Sequence, residues 1–180
     1  MRKSLLLIPF ILFVLISCAT TPSTLMPQRF PSNSERGVIV GTIAIENEKP
    51  IFNQYFFHYV NIKDFRIGIN KMITVRPEQT IKMKFKPDFV DDTKAVYYFS
   101  IIQNPGDYEF TVLRLHANGG FIQSEAHVAM EIPFKVEKGK VKYLGEIYFN
   151  YNQGILQLVD KKERDIKKFN EKYPNLTIEY

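Results

Sequence analysis

The sequence is poor in cysteine, glycine and long hydrophobic runs, and its proline content is ordinary. Cys18 is its single cysteine, which excludes an internal disulfide and a zinc site built from several cysteines. The 9 glycines and 10 prolines are too few for a collagen-like or low-complexity chain. The apolar run at residues 5–16 is much shorter than the roughly 20 residues of a membrane-spanning helix. These deficits leave an ordinary globular domain as the main expectation.

Motifs of catalysis and cofactor binding are also missing. The chain has no Gly-x-Ser-x-Gly elbow, no Gly-x-x-x-x-Gly-Lys loop and no His-Glu-x-x-His pair. Its three histidines, His58, His116 and His127, do not share the spacing of a helical metal site. We therefore expect a protein that is not an enzyme and that needs neither a cofactor nor a metal.

Aromatic residues, in contrast, are plentiful. The chain has 15 Phe and 10 Tyr but no Trp, and charged residues make up 24%. Aromatic and β-branched side chains suit half-buried, pleated surfaces, so this composition favours β structure.

The amino-terminal residues have the pattern of an export signal. Arg2 and Lys3 precede the apolar run at 5–16, which has no charged or polar side chain. A short basic segment followed by about 7–15 apolar residues is typical of a secretory signal peptide. A buried core helix is the alternative, but this run has no polar face.

The four residues that end this segment, Leu15-Ile16-Ser17-Cys18, resemble the lipobox of bacterial lipoproteins. The resemblance implies that residues 1–17 are removed and that Cys18 receives a diacylglyceryl group and an acylated amine. Two or three acyl chains hold a protein at a membrane stably. Ala19, by the sorting rule of enteric bacteria, implies the outer membrane. We expect a lipid-anchored protein of the bacterial envelope, and export makes nucleic acid a poor partner.

Residues 18–36 are predicted to be the lipidated cysteine and a flexible tether. The segment contains three prolines and a surplus of Ser and Thr, which is typical of a linker. Phe30 is the one large aromatic in it, and we expect that Phe30 docks on the domain.

From residue 37 the chain has strand patterns separated by turns. Residues 80–86 alternate apolar and lysine side chains, which predicts one buried and one solvated face. Pro105-Gly106 and Lys138-Gly139 mark turns. The predicted strands cover 38–45, 54–60, 65–69, 80–86, 95–103, 108–116, 130–136, 141–149 and 154–159.

One helix is predicted at about 161–173. Asp160 and Glu163 have the spacing of a capping box, and Pro174 ends the helix. Ile166, Phe169 and Tyr173 form a narrow apolar stripe, so the many basic residues of the helix are expected to face water.

This pattern predicts an all-β fold over residues 37–180, an antiparallel β-sandwich with one C-terminal α-helix. The turn at Pro105-Gly106-Asp107-Tyr108 and the later strand-Gly-strand pattern around Gly139 resemble immunoglobulin-like and transthyretin-like modules. The resemblance implies an immunoglobulin-like sandwich.

Two groups of residues are candidates for an interaction surface. Tyr55, Phe57 and Tyr59 lie in a dense aromatic stretch, which forms an exposed binding surface or fills a two-sided core. Lys82, Lys84 and Lys86 form a ladder that attracts anions or simply keeps a strand soluble.

We therefore expect a lipid-anchored, non-enzymatic structural or interaction module whose partners are the membrane and an unknown envelope protein or glycan. The main alternative is a ligand-binding lipoprotein that presents a sugar, lipid or peptide surface from its aromatic strands. A third is a hydrolase that combines His116 or His127 with the carboxylates of residues 88–92.

Overall fold

The computed structural model describes residues 26–46, 52–64, 71–77, 87–118 and 123–180. Cys18, the ladder of Lys82, Lys84 and Lys86, and the strands predicted at 65–69 and 80–86 lie outside these ranges. The described residues form nine strands and one helix: β1 Gly37–Glu46, β2 Gln54–Asn61, β3 Lys71–Val75, β4 Phe89–Asp91, β5 Lys94–Gln103, β6 Gly106–Asn118, β7 Gln123–Val136, β8 Val141–Asn150, β9 Ile155–Val159 and α1 Lys162–Lys172.

The strands make two sheets, which confirms the predicted all-β sandwich with a C-terminal helix. One sheet has the order β4-β5-β1-β8-β9 and the other β3-β2-β6-β7. All pairs are antiparallel except β1 with β8, which run parallel. The sequence pattern predicted antiparallel pairing throughout. β1 and β8 can run parallel because the chain between them, β2 to β7, forms a long crossover connection.

Aromatic and aliphatic side chains from both sheets fill the space between them. Phe57, Phe99, Phe110, Leu113 and Ile147 are completely buried there. Burying such side chains stabilises the fold by about 1.5–3 kcal/mol each. This packing fixes which side of each strand faces inward and which side remains for contacts outside the sandwich.

Tyr55, Phe57 and Tyr59 belong to this core, so the prediction that they form an interaction surface was wrong. Their exposed fractions are 1%, 0% and 5%. Alternate residues of β2 point inward, and Tyr55 also meets Phe149 of the opposite sheet in an edge contact. The aromatic stretch is dense because it fills a two-sided core.

A second apolar cluster covers the outer face of the five-stranded sheet. Phe169 and Tyr173 of α1 pack there on Val38 and Val40 of β1. This contact confirms the apolar stripe that the helix spacing predicted. The predicted capping box was wrong, because the N-cap residue is Lys161 and its side chain makes no capping bond. Asp160 lies one position earlier and accepts a hydrogen bond from the Lys162 backbone N–H at 2.9 Å.

The residues before β1 pack on the domain. Met26 and Phe30 join the cluster beneath α1, which confirms the expectation that Phe30 docks. Nearer β1, the Gly139 N–H donates to the Arg36 carbonyl at 2.8 Å. Gly139 has φ +70°, and a Cβ there would stand 2.0 Å from the Ser32 carbonyl oxygen. The β7–β8 turn therefore requires glycine for its backbone angle and for its contact with residue 32.

Candidate functional site

Three histidines and one arginine share the outer face of the four-stranded sheet. On β2, β6 and β7, Tyr55, Leu113 and Leu115 point into the core, so alternate residues point outward. The outward set contains His58, Arg114, His116 and His127. Arg114 lies directly opposite His127, and His116 lies opposite Glu125.

Arg114 is held over an aromatic ring at the centre of this face. Its Cζ atom lies 4.5 Å from the ring centroid of Phe56, with which it also pairs in register. The rings of Phe56 and His58 are 6.5 Å apart. A guanidinium against an aromatic face has a restricted orientation, so its donors are preorganised.

Alternation also places Glu109, Glu125 and Glu131 on this face, but no described ion pair joins them to Arg114 or His58. Burial lowers the pKa of His58, and the charges of Arg114 and His127 lower it further. His58 Nδ1 and Arg114 Nε are buried and have no hydrogen-bond partner. Buried polar atoms are usually paired, so these two mark unused binding capacity. We call His58, Arg114 and His127 the histidine–arginine patch.

His116 differs from the patch because a carboxylate accompanies it. Its Nδ1 lies 3.5 Å from Glu125 Oε1. Its side chain is 19% exposed, against 49% for Glu125. Glu125 therefore already supplies an anionic partner for His116.

A second polar cluster lies beneath α1, on the opposite side of the sandwich. Asp165 is completely buried and accepts hydrogen bonds of 2.7 Å from both Thr42 and Tyr143. Arg164 binds Asp165, and its other nitrogens reach Glu146 and Asp91. Each buried carboxylate has charged or hydroxyl partners, so this cluster holds the helix in place and leaves its groups occupied.

The acidic residues near β4 serve the same purpose. Asp88 accepts the backbone N–H of Tyr98 at 2.8 Å and binds the ammonium group of Lys172. The expectation that the basic residues of α1 face water was wrong for Arg164, which is 18% exposed and binds Asp91, whereas Lys172 remains exposed although it binds Asp88. Burial lowers the pKa of Lys172, and the Asp88 carboxylate more than offsets this, so the pKa is raised overall.

The hydrolase constellation considered above does not form. His116 and His127 lie on the outer face of the four-stranded sheet, whereas Asp88 and Asp91 flank β4 in the other sheet and bind α1. Their spacing in sequence gave no sign of this separation.

Metal and membrane features of the described residues are limited. Within the described ranges, no three His, Cys, Asp or Glu side chains are grouped to hold a metal. The one helix there, α1, has 11 residues and does not reach across a bilayer. An open depression of about 490 Å³ lies at its start, lined by residues 160–164.

Comparisons with known proteins give little. No protein-family model and no curated protein matches the chain. A solved leucine-rich repeat protein from Bacteroides thetaiotaomicron is similar over 77% of this chain, with 13% identity and a TM-score of 0.34. This chain spans 16% of that protein, and a similarity of this size carries no argument about fold or function.

Nothing in the sequence indicated that His58, Arg114 and His127 are neighbours. Alternation within each strand predicts only that residues 114 and 116 share a face of their strand and that residues 125 and 127 share a face of theirs. Which strands pair, and in which register, depends on contacts distant in sequence.

Proposed function

We propose that this chain is a lipid-anchored protein of the bacterial envelope whose β-sandwich acts as a non-enzymatic structural or interaction module. The lipobox-like segment Leu15-Ile16-Ser17-Cys18 after a basic and apolar leader carries this proposal. Ala19 favours the outer membrane as the site of the anchor. The sandwich fold agrees with an extracytoplasmic module that presents a surface.

The packing of the tether supports a position close to the membrane. Met26 already contacts the cluster beneath α1, and it follows Cys18 by eight positions. A fully extended chain of eight residues spans at most about 28 Å. An anchor on Cys18 would therefore hold the domain within a few nanometres of the bilayer.

The route of the tether also suggests which side faces the membrane. Residues 26–36 follow the outer face of the five-stranded sheet, where α1 packs, and reach the β7–β8 turn. Lys138 pairs there with Glu35 at 2.6 Å, and Lys140 pairs with Glu179 at 3.0 Å. Charges are therefore paired where the tether meets the β7–β8 turn, and the histidine–arginine patch lies on the opposite face of the sandwich.

Metabolic labelling with a palmitate analogue tests the anchor. We expect the wild-type protein to be labelled and to sediment with membranes, and Cys18→Ala to lose both properties. Ser17→Ala is the matched control, because it keeps a small residue before Cys18 and should remain labelled. Label on Cys18→Ala, or native protein that begins at Met1, would refute the proposal.

The alternative of a ligand-binding lipoprotein loses its original basis. Tyr55, Phe57 and Tyr59 are core residues and present nothing to a ligand. A ligand would have to use another surface. Among the described residues, the buried side-chain atoms without hydrogen-bond partners belong to His58 and Arg114 of the histidine–arginine patch.

A further inference from the structure

We propose that Arg114, together with His58 and His127, forms a binding site for an oxyanion on the outer face of the four-stranded sheet. The ligand class is a molecule that carries a carboxylate or a phosphate group. This inference stands on the sheet geometry and is independent of the lipid anchor.

The strand register brings the three side chains together. Arg114 on β6 is paired with Phe56 on β2 on one side and with His127 on β7 on the other. His58 follows Phe56 by two residues, so it lies on the same face and diagonal to Arg114. Diagonal neighbours on one face are about 7–8 Å apart, which suits several donors around one small anion.

The patch has no internal counter-ion. The described ion pairs of this face join Glu125 to His116 and Asp107 to Lys63, and none of them reaches Arg114, His58 or His127. Arg114 contacts the ring of Phe56, and its Nε, like His58 Nδ1, is buried without an acceptor. A buried donor without an acceptor is unfavourable, and an oxyanion at the patch would offset part of that cost.

Guanidinium chemistry selects the ligand. Arginine presents a planar fork of donors that matches the two oxygens of a carboxylate or phosphate, and such pairs are stronger than neutral hydrogen bonds. Phe56 fixes the plane of that fork from one side. His127 is exposed and His58 is half-buried, so each adds a donor, and a positive charge when protonated.

Binding should depend on pH because histidine protonation is disfavoured in the empty patch. Burial lowers the pKa of His58 most, and the charges of Arg114 and His127 lower it further. The same face also carries the titratable groups His116 and Glu109 on β6 and Glu125 and Glu131 on β7. An anion at the histidine–arginine patch reverses the sign of the local field and favours the protonated imidazole. Affinity is therefore expected to rise severalfold as the pH falls from 7.5 to 5.5.

Full-length protein in detergent, labelled with ¹³C-histidine, provides the test, since three histidines give three ring signals. Inorganic phosphate and glucuronate are titrated separately at constant ionic strength, so the two arms distinguish a phosphate from a carboxylate ligand. We expect saturable shifts of the His58 and His127 signals and much smaller shifts of His116. His127→Gln and His58→Gln assign the signals, and His127 is exposed, so its replacement should not disturb folding.

Arg114→Gln should weaken binding about tenfold or more, because it removes a charge-assisted contact. Arg114→Lys keeps the positive charge but loses the planar pair of donors, so its affinity should lie between those of the wild type and Arg114→Gln. Lys167→Gln on the exposed side of α1 is the matched control and should bind like the wild type. The proposal is overturned if the shifts saturate with neither phosphate nor glucuronate, or if they persist unchanged in folded Arg114→Gln. Either result would mean an adventitious ion only.

Discussion

Thr42 and Asp165 are 123 residues apart in sequence, yet Thr42 Oγ1 donates a hydrogen bond of 2.7 Å to Asp165 Oδ2. Both residues are completely buried, one on β1 and the other on α1. Tyr143 donates to the same oxygen, and Arg164 binds the other oxygen. This contact joins the central strand of the five-stranded sheet to the helix that covers it.

Replacing Asp165 should destabilise the protein strongly. Asp165→Ala leaves Arg164, Thr42 and Tyr143 without their shared acceptor, and breaking a buried ion pair costs about 3–5 kcal/mol. Thr42→Val removes one hydrogen bond and should lower the free energy of unfolding by about 1 kcal/mol. Urea denaturation measures both changes, with Glu171→Ala on the exposed helix surface as the control. A loss below about 1 kcal/mol for Asp165→Ala would show that the helix is held by its apolar stripe alone.

Stability should fall in alkaline solution. Burial, followed by the hydrogen bond to Asp165, raises the pKa of Tyr143 above its ordinary value of 10.0. Burial also raises the pKa of Tyr55 to about 12. The unfolded chain releases these protons first, so their contribution is present below pH 10 and is lost as the pH rises beyond it. Urea midpoints between pH 8 and 11 should decline more gently in Tyr143→Phe, and an unchanged slope would contradict this assignment.

The free energy of unfolding should also fall in acid, because His58 titrates differently in the folded and unfolded states. Its pKa is lowered in the folded state, mainly by burial, so below its ordinary value of 6.5 the unfolded chain binds the proton more readily. Stability therefore falls as the pH drops from 7 through this range. His58→Gln removes the titrating group, and its unfolding free energy should vary less between pH 7 and 5. If His58→Gln and wild type have the same pH dependence, the fall in stability arises elsewhere.

The contact of Phe30 with the domain should determine how many residues of the tether stay free of the domain. Phe30→Ala removes the larger apolar contact between the tether and the cluster beneath α1. Arg29 is exposed beside it, so trypsin should cleave after residue 29 severalfold faster in the variant. Thermal denaturation should change little, since the side chain is only partly buried. Equal cleavage rates in both proteins would show that Phe30 does not hold the tether.

Much of the fold was predictable from local pattern. Apolar, aromatic and β-branched runs bounded by turn residues located β1, β2, β5, β6, β8 and β9 to within a few residues. The described strands β3 and β4 were missed, since five and three residues are too short for a clear period. The parallel pairing of β1 with β8 was also missed, because nothing near either strand specifies a partner about 100 residues away.

The charged residues of the helix show the same limit. A pattern of lysines, arginines and acids on α1 predicts a solvated face, but Asp165 is 0% exposed. The partners that make its burial tolerable, Thr42 and Tyr143, come from two separate strands. The histidine–arginine patch arises in the same way, from residues that three strands bring together. Local sequence identifies the faces of each strand, and distant pairing decides what meets there.

The central position of β1 sets the order in which the domain is completed. A chain that is made or exported amino end first delivers β1 before any other strand, yet both neighbours of β1 come later, and β8 comes last of the three. β1 can pair with β5 once residue 103 has emerged, but its other edge has no partner until β8 is complete at residue 150. The five-stranded sheet therefore closes around its first strand only after most of the domain has been delivered.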